Sequence, residues 1–159
     1  MDFKLINVGI ADCGISTSPD ILRTILGSCV GICLYEPEEK TGGLSHIMLP
    51  VRRSDSSSAM KYADTAIPYL IDELEEIGIV RKKLVAKIIG GATMFKLSAD
   101  GFMKDIGKNN IEKVREILKN NNIKIISEDL GGDYGRTVDF YLETGEVRVK
   151  TMSNKEKII

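Results

Sequence analysis

Short runs of β-branched and aliphatic residues, each bounded by turn-forming or acidic residues, constrain the fold of this chain more than any other feature. Runs of this kind predict β-strands. They lie at residues 5–11, 21–26, 29–35, 44–49, 84–89, 123–126, 138–142 and 147–149. Residues 36–39 close the third run, and the fourth resumes after Gly42 and Gly43, which predicts a hairpin between them.

Two segments have the periodicity of helices instead. Apolar residues recur every three or four positions between Met60 and Ile77, and a second such face runs from Ile111 to Leu118. Pro68 should kink or restart the first helix, and residues 120–122 should end the second. The pattern predicts an α/β fold: a single-domain layered sandwich of mixed, largely antiparallel β-sheet with two main helices.

Length, charge and apolar runs indicate how many domains the chain has and argue against nucleic-acid binding and membrane insertion. The 159 residues fit one domain, with a core over about 3–150 and a frayed tail over 151–159. The formal net charge of −1 argues against nonspecific nucleic-acid binding, which needs a basic footprint. The longest near-apolar run, residues 25–35, is too short to cross a bilayer, and the N-terminus has no secretory pattern. We therefore expect a cytoplasmic protein without membrane insertion.

The cysteines argue against a metal centre. Cys13, Cys29 and Cys33 form no CxxC pair, and His46 is the only histidine of the chain. This set does not match the spacing of a zinc site, so we expect free thiols, no metal and no cofactor.

Cys29 is the strongest candidate nucleophile. A cysteine reacts as the thiolate and needs a nearby base, which in this chain can only be His46, 17 residues onward on the returning strand of the hairpin. Gly27 and Ser28 form a small turn that can direct backbone N–H groups at an oxyanion. From the residues alone, however, buried structural roles for both side chains are favoured.

The remaining motifs point to packing and loops. The carboxylate of Asp12 disfavours a thiolate at Cys13, and Cys33 lies within an apolar run. The glycine-rich segment at 90–95 matches neither a Walker loop nor a dinucleotide-binding fingerprint, and the one at 131–136 is typical of a plain loop between strands.

Several segments together carry a more specific signal. They are LGSCVGICLY at 26–35, GLSHIMLP at 43–50, KYADTA at 61–66, AKIIGGATMF at 86–95, IGKNNI at 106–111 and the GG…GR residues of 131–136. In this order they resemble the chemoreceptor glutamine deamidase (CheD) family, over roughly residues 8–150.

The resemblance implies hydrolysis of selected glutamine side chains in methyl-accepting chemotaxis receptors, without a cofactor. It implies that Cys29 attacks the carboxamide, that His46 holds the thiolate and transfers protons, and that Thr24 is the third catalytic residue. Gly27 and Ser28 would contact the substrate. A second implied partner is the CheC-type chemotaxis phosphatase, for which we expect Phe95 to be an exposed anchor.

One position departs from the family pattern. Some members carry the threonine six residues before the cysteine, where this chain has Arg23, whereas Thr24 stands five residues before Cys29. A shift of one residue along a strand moves a side chain to the opposite face, unless a bulge compensates.

Two other functions are compatible with the same residues. The chain could be a non-catalytic adaptor that binds receptors or the phosphatase, with Cys29 as an inert thiol. A cysteine peptidase or a transglutaminase-like acyl transferase would use the same Cys/His pair, because only the acyl acceptor differs.

Overall fold

The computed structural model describes residues 2–54, 57–94 and 105–159. Two helices in these residues are α1 (Ala63–Glu76) and α2 (Ile106–Asn120), and single 3₁₀ turns lie at Ala59–Lys61 and Arg81–Lys83. The strands are β1 (Leu5–Asn7), β2 (Asp12–Thr17), β3 (Ile21–Leu26), β4 (Val30–Glu36), β5 (Thr41–Ile47), β6 (Val85–Gly90), β7 (Lys124–Leu130), β8 (Arg136–Tyr141), β9 (Val147–Thr151) and β10 (Glu156–Ile158).

The strands form two stacked sheets, and the helices form a third layer. The outer sheet has the order β1-β3-β8-β9-β10, and the inner sheet has the order β2-β5-β4-β6-β7. Most pairings are antiparallel, while β1 with β3 and β6 with β7 are parallel. The predicted α/β sandwich with two main helices is thereby confirmed.

The inner sheet is covered on both faces. One apolar core fills the space between the sheets, and a second lies between the inner sheet and the helices. Along β4 the side chains alternate: Ile32 and Leu34 belong to the helix-side core, whereas Cys33 and Tyr35 belong to the core between the sheets. Every residue of β4 and β5 is buried, which explains why these strands read as continuous apolar runs.

Close backbone approach explains the glycines of β5. Gly42 and Gly43, which we expected to precede the strand, lie inside it, and the hairpin turn is at residues 37–40. A Cβ at Gly42 would overlap the backbone carbonyl oxygen of Leu34 on β4, so a larger residue there would force the paired strands to shift.

Several other boundaries differ from the prediction. A single strand over 5–11 is wrong, because the chain turns at Ala11, whose φ is +56°, and begins β2 at Asp12. Pro68 does not divide α1, and α2 begins at Ile106 rather than near Ile111. The residues after Thr151 are not frayed, since β10 pairs with β9 at the edge of the outer sheet.

No helix among the described residues is long and apolar enough to cross a membrane.

Candidate active site

Cys29 ends the turn that carries the chain from the outer sheet to the inner sheet. β3 ends at Leu26 and β4 begins at Val30, so the turn consists of residues 27–29. The residue is 9% exposed and contributes to the core between the sheets. Gly27 and Cys29 line an open cleft of about 340 Å³ at this end of the layers.

The glycine-rich segment after β6 supports this turn from behind. The N–H of Gly91 donates to the carbonyl of Cys29 over 2.9 Å, and the N–H of Ala92 donates to the carbonyl of Gly27 over 3.2 Å. Gly90 has a φ of +109°, and a Cβ there would overlap the carbonyl oxygen of Cys29. The segment that matched no nucleotide-binding motif therefore holds the cysteine turn, and only glycine fits at position 90.

His46 lies near the end of β5, on the same face of the inner sheet as Cys29. The register places it opposite Gly31 of β4, two residues beyond Cys29, so the two side chains are diagonal neighbours. The imidazole is 3% exposed and lines the same cleft. The pair predicted from the sequence is brought together at one opening.

Thr24 reaches His46 from the outer sheet. Its Oγ1 lies 2.7 Å from Nδ1 of His46 and donates to the carbonyl of Val8 over 2.7 Å. Arg23 is on the opposite face of β3, where it forms a 2.6 Å ion pair with Asp139. Thr24, and not the residue six positions before the cysteine, therefore faces the imidazole.

These hydrogen bonds fix the tautomer of His46. A threonine hydroxyl has one proton, which the Val8 carbonyl receives, so Oγ1 must accept from Nδ1–H of the imidazole. Nε2 is then the unprotonated nitrogen, and within the described part of the chain it has no hydrogen-bond partner. The ring, which lines the same cleft as Cys29, therefore carries an unprotonated nitrogen that can accept a proton.

Comparison with known sequences identifies the family of this chain. A sequence model of the family described as CheD chemotactic sensory transduction matches residues 48–151, about two thirds of the chain. The chain belongs to the CheD family. The matched stretch begins after both Cys29 and His46, so the site residues lie outside it.

Relatives of this chain cover nearly all of its length. A protein named probable chemoreceptor glutamine deamidase CheD from Caldanaerobacter subterraneus subsp. tengcongensis is 46% identical over 100% of both chains. A protein of the same name from Methanococcus vannielii is 48% identical and covers 92% of this chain and 94% of its own. A third, from Syntrophomonas wolfei, is 46% identical over 98% and 99%.

The fold also has a solved counterpart. The crystal structure of the hypothetical protein YfiH of Bacillus licheniformis aligns with a TM-score of 0.51 at 15% identity. The alignment covers 74% of this chain and 49% of that chain, and it shows a shared fold only.

The protonation states of Cys29 and His46 differ from those that we expected from the sequence. Burial lowers the pKa of His46 to about 4. Burial also raises the pKa of the Cys29 thiol, although a hydrogen bond from its own backbone opposes this rise. We expected a thiolate held by the imidazole, whereas these pKa shifts describe a neutral thiol beside a neutral ring at pH 7.

This charge state predicts the pH dependence of alkylation at Cys29. Because thiolate forms only above the raised pKa of the thiol, we expect the rate with iodoacetamide to climb steadily from pH 6 through pH 9. Peptide-level mass spectrometry would follow the rate, with buried Cys33 as the internal unlabelled control. A plateau already reached below pH 7 would instead indicate a preformed thiolate–imidazolium pair.

The other residues singled out from the sequence are Cys13, Cys33, Ser28 and Phe95. Burial raises the pKa of both Cys13 and Cys33, and Cys33 lies in the core between the sheets. Ser28 turns its carbonyl toward Asn110 of α2, a residue to which the sequence assigned no role. Phe95 lies outside the described residues, so its position as an anchor stays a prediction.

The described ranges contain no group of three histidine, cysteine, aspartate or glutamate side chains placed to hold a metal ion.

Proposed function

We propose that this CheD-family chain hydrolyses the side-chain amide of selected chemoreceptor glutamines, leaving glutamate and releasing ammonia. Relatives that cover 92% to 100% of the chain bear the name of this activity. The observation that carries the proposal is the free Nε2 of His46, held by Thr24 in the same open cleft as Cys29. This arrangement provides a nucleophile, a base and access for an amide.

Acylation begins from the neutral pair. Sγ of Cys29 attacks the amide carbon while its proton passes to Nε2 of His46, which gives a tetrahedral intermediate and an imidazolium. The imidazolium then protonates the amide nitrogen, the C–N bond breaks, and ammonia leaves. A thioester remains on Cys29, and His46 is neutral again.

Hydrolysis of the thioester repeats the proton transfers with water. Nε2 of His46 accepts a proton from water as the oxygen attacks the thioester carbon, and the C–S bond breaks as the second intermediate collapses. The sulfur regains its proton from the imidazolium. The net reaction consumes one water and converts a neutral amide to a carboxylic acid, which ionises at neutral pH.

Thr24 acts through His46 in this cycle and is a positioning residue. The imidazolium formed during attack keeps Nδ1–H directed at Oγ1 of Thr24, so the ring does not have to rotate between steps. Val8 in turn orients the hydroxyl, and its own N–H donates to the carbonyl of Arg23 over 2.7 Å. The segment between β1 and β2 is therefore part of the proposed catalytic apparatus.

The rim of the cleft fits a protein substrate. Ile10 and Ile25 line the opening and are 57% and 70% exposed. Exposed apolar side chains beside a reactive cysteine suit a glutamine presented on a helix with apolar neighbours. The proposal includes Gly27 at the substrate-contacting wall and Ser28 beside it.

The proposal extends to location and regulation. We place the proposed reaction in the cytoplasm. A CheC-type phosphatase is the proposed second protein partner, with Phe95 as its anchor. Neither nucleic acid nor membrane insertion enters the proposed reaction.

Incubation of the wild-type chain with a cytoplasmic receptor fragment tests the function. We expect ammonia release, together with the mass change of amide to carboxylate at particular glutamines, found by peptide mass spectrometry. A fragment with those glutamines replaced by glutamate is the matched control and should release no ammonia. Receptor binding without ammonia release would indicate the adaptor instead, and cleaved or cross-linked peptides would indicate the peptidase or the acyl transferase.

A further inference from the structure

We infer that Asn110 is a positioning residue that directs the backbone N–H of Cys29 at the oxyanion of the proposed reaction. Asn110 is fully buried on α2, 81 residues after Cys29 in the sequence. Its Nδ2 donates to the carbonyl of Ser28 over 3.3 Å and to the carbonyl of Met48 over 2.9 Å. The inference rests on the proposed function, since it assigns the residue a part in that reaction.

The Ser28 carbonyl completes a continuous set of anchored peptides. Ala92 binds the carbonyl of Gly27, Asn110 binds that of Ser28, and Gly91 binds that of Cys29. All three carbonyls of the turn therefore have hydrogen-bond donors from the segment after β6 or from α2. The middle one alone depends on a side chain.

The planar trans peptide transmits this anchoring to the N–H groups. In a trans peptide the C=O of one residue and the N–H of the next point in opposite directions. With the Ser28 carbonyl fixed toward Asn110, the N–H of Cys29 points away from α2. In the described part of the chain, this N–H donates to no backbone carbonyl.

The backbone N–H of Cys29 acts on the sulfur of the same residue. A hydrogen bond from the backbone of Cys29 lowers the pKa of the thiol, which opposes the larger effect of burial. When the sulfur attacks an amide, the new oxyanion is attached to the same carbon as the sulfur. A donor that already faces the sulfur is suited to stabilise that oxygen.

The same amide also connects the nucleophile to the base. Met48 lies two residues after His46, so one Asn110 side chain holds both the cysteine turn and the end of the histidine strand. Gly107, one turn earlier on α2, permits this approach, because a Cβ there would overlap the carbonyl oxygen of Gly91. Oδ1 of Asn110 is buried and has no partner among the described residues, so the functional contacts come from Nδ2.

Two rates measured on Asn110→Ala, for ammonia release and for alkylation of Cys29, separate oxyanion positioning from general structural support. We expect kcat for ammonia release to fall about tenfold to hundredfold with KM within threefold, because one oxyanion donor is displaced. Alkylation of Cys29 by iodoacetamide forms no oxyanion and should stay within about threefold of the wild-type rate. Asn109→Ala, at the exposed adjacent position of α2, is the matched control.

A small aldehyde that binds Cys29 without turnover tests the role of Asn110 even if the chain does not deamidate a receptor. N-acetyl-glutamate γ-semialdehyde labelled with ¹³C forms a hemithioacetal with a cysteine, and its oxygen occupies the oxyanion position. We expect its affinity for Asn110→Ala to fall about tenfold or more relative to wild type, measured by NMR. If Asn110→Ala does not fold, Asn110→Ser replaces it, with a hydroxyl that can donate to only one of the two carbonyls.

The outcomes are distinguishable. Loss of turnover and of aldehyde affinity with alkylation preserved would support the inference. Unchanged turnover and affinity, or a parallel loss of alkylation, would overturn it. A wild-type chain that binds the aldehyde but releases no ammonia from receptor would contradict the proposed function, while the aldehyde affinities of wild type and variant would still decide the role of Asn110.

Discussion

Replacement of Cys29 by alanine should abolish ammonia release from a receptor fragment. The alanine removes the sulfur that lines the cleft with His46, and no thioester can form on this residue without it. Because the residue lies in a turn at the cleft and loses only one atom, we expect the variant to fold and to retain receptor binding. Ammonia release and receptor binding would be measured on the same preparation.

Cys33→Ala is the matched control for this variant. Cys33 lies on β4, four residues after Cys29, and contributes to the same core, but it is sealed between the sheets at 1% exposure. We expect it to keep wild-type activity at a modest cost in the free energy of unfolding. Residual deamidation by Cys29→Ala at the rate of Cys33→Ala would contradict the assignment of the nucleophile.

Thr24→Val should produce the second-largest loss, about a hundredfold in kcat, within the range that general acid–base catalysis supplies. Valine keeps the shape of threonine but cannot accept from Nδ1–H of His46 or donate to Val8. The ring then loses the contact that fixes its tautomer, so Nε2 is no longer held as the acceptor. Steady-state kinetics of ammonia release would measure the effect.

Thr24→Ser supplies the rescue, because its hydroxyl can form the same two hydrogen bonds. We expect serine to restore most of the rate. Thr137→Val, on the adjacent strand β8 of the outer sheet, controls for loss of a threonine hydroxyl from that sheet. Equal rates for Thr24→Val and Thr137→Val would remove Thr24 from the proposed mechanism.

The pairing of Cys29 with His46 could be predicted because the chain offered few alternatives. A single histidine and a predicted hairpin confined any Cys/His chemistry to β4 and β5, and the observed register places the two side chains on one face. The strand β3 was also predicted with its observed bounds. These features depend on local periodicity, which the sequence displays directly.

The contacts of Thr24 and Asn110 could not be predicted in the same way. The turn at residues 27–29 interrupts the two-residue period, so counting from Cys29 does not reveal which face Thr24 occupies. Asn110 meets Ser28 only because α2 packs against the turn, a tertiary contact between distant parts of the chain. The segment at 106–111 that resembles the family includes Asn110, but the resemblance did not indicate what its side-chain amide binds.

The bond between Thr24 and His46 crosses from one sheet to the other, so it also measures how well the two layers are aligned. A hydrogen bond of 2.7 Å is strong, but such contacts are lost beyond about 3.5 Å. A slip of one layer by less than an ångström would therefore release the imidazole while the apolar interior stayed dry. The catalytic rate should therefore fall with small displacements between the two sheets that would not change the free energy of unfolding measurably.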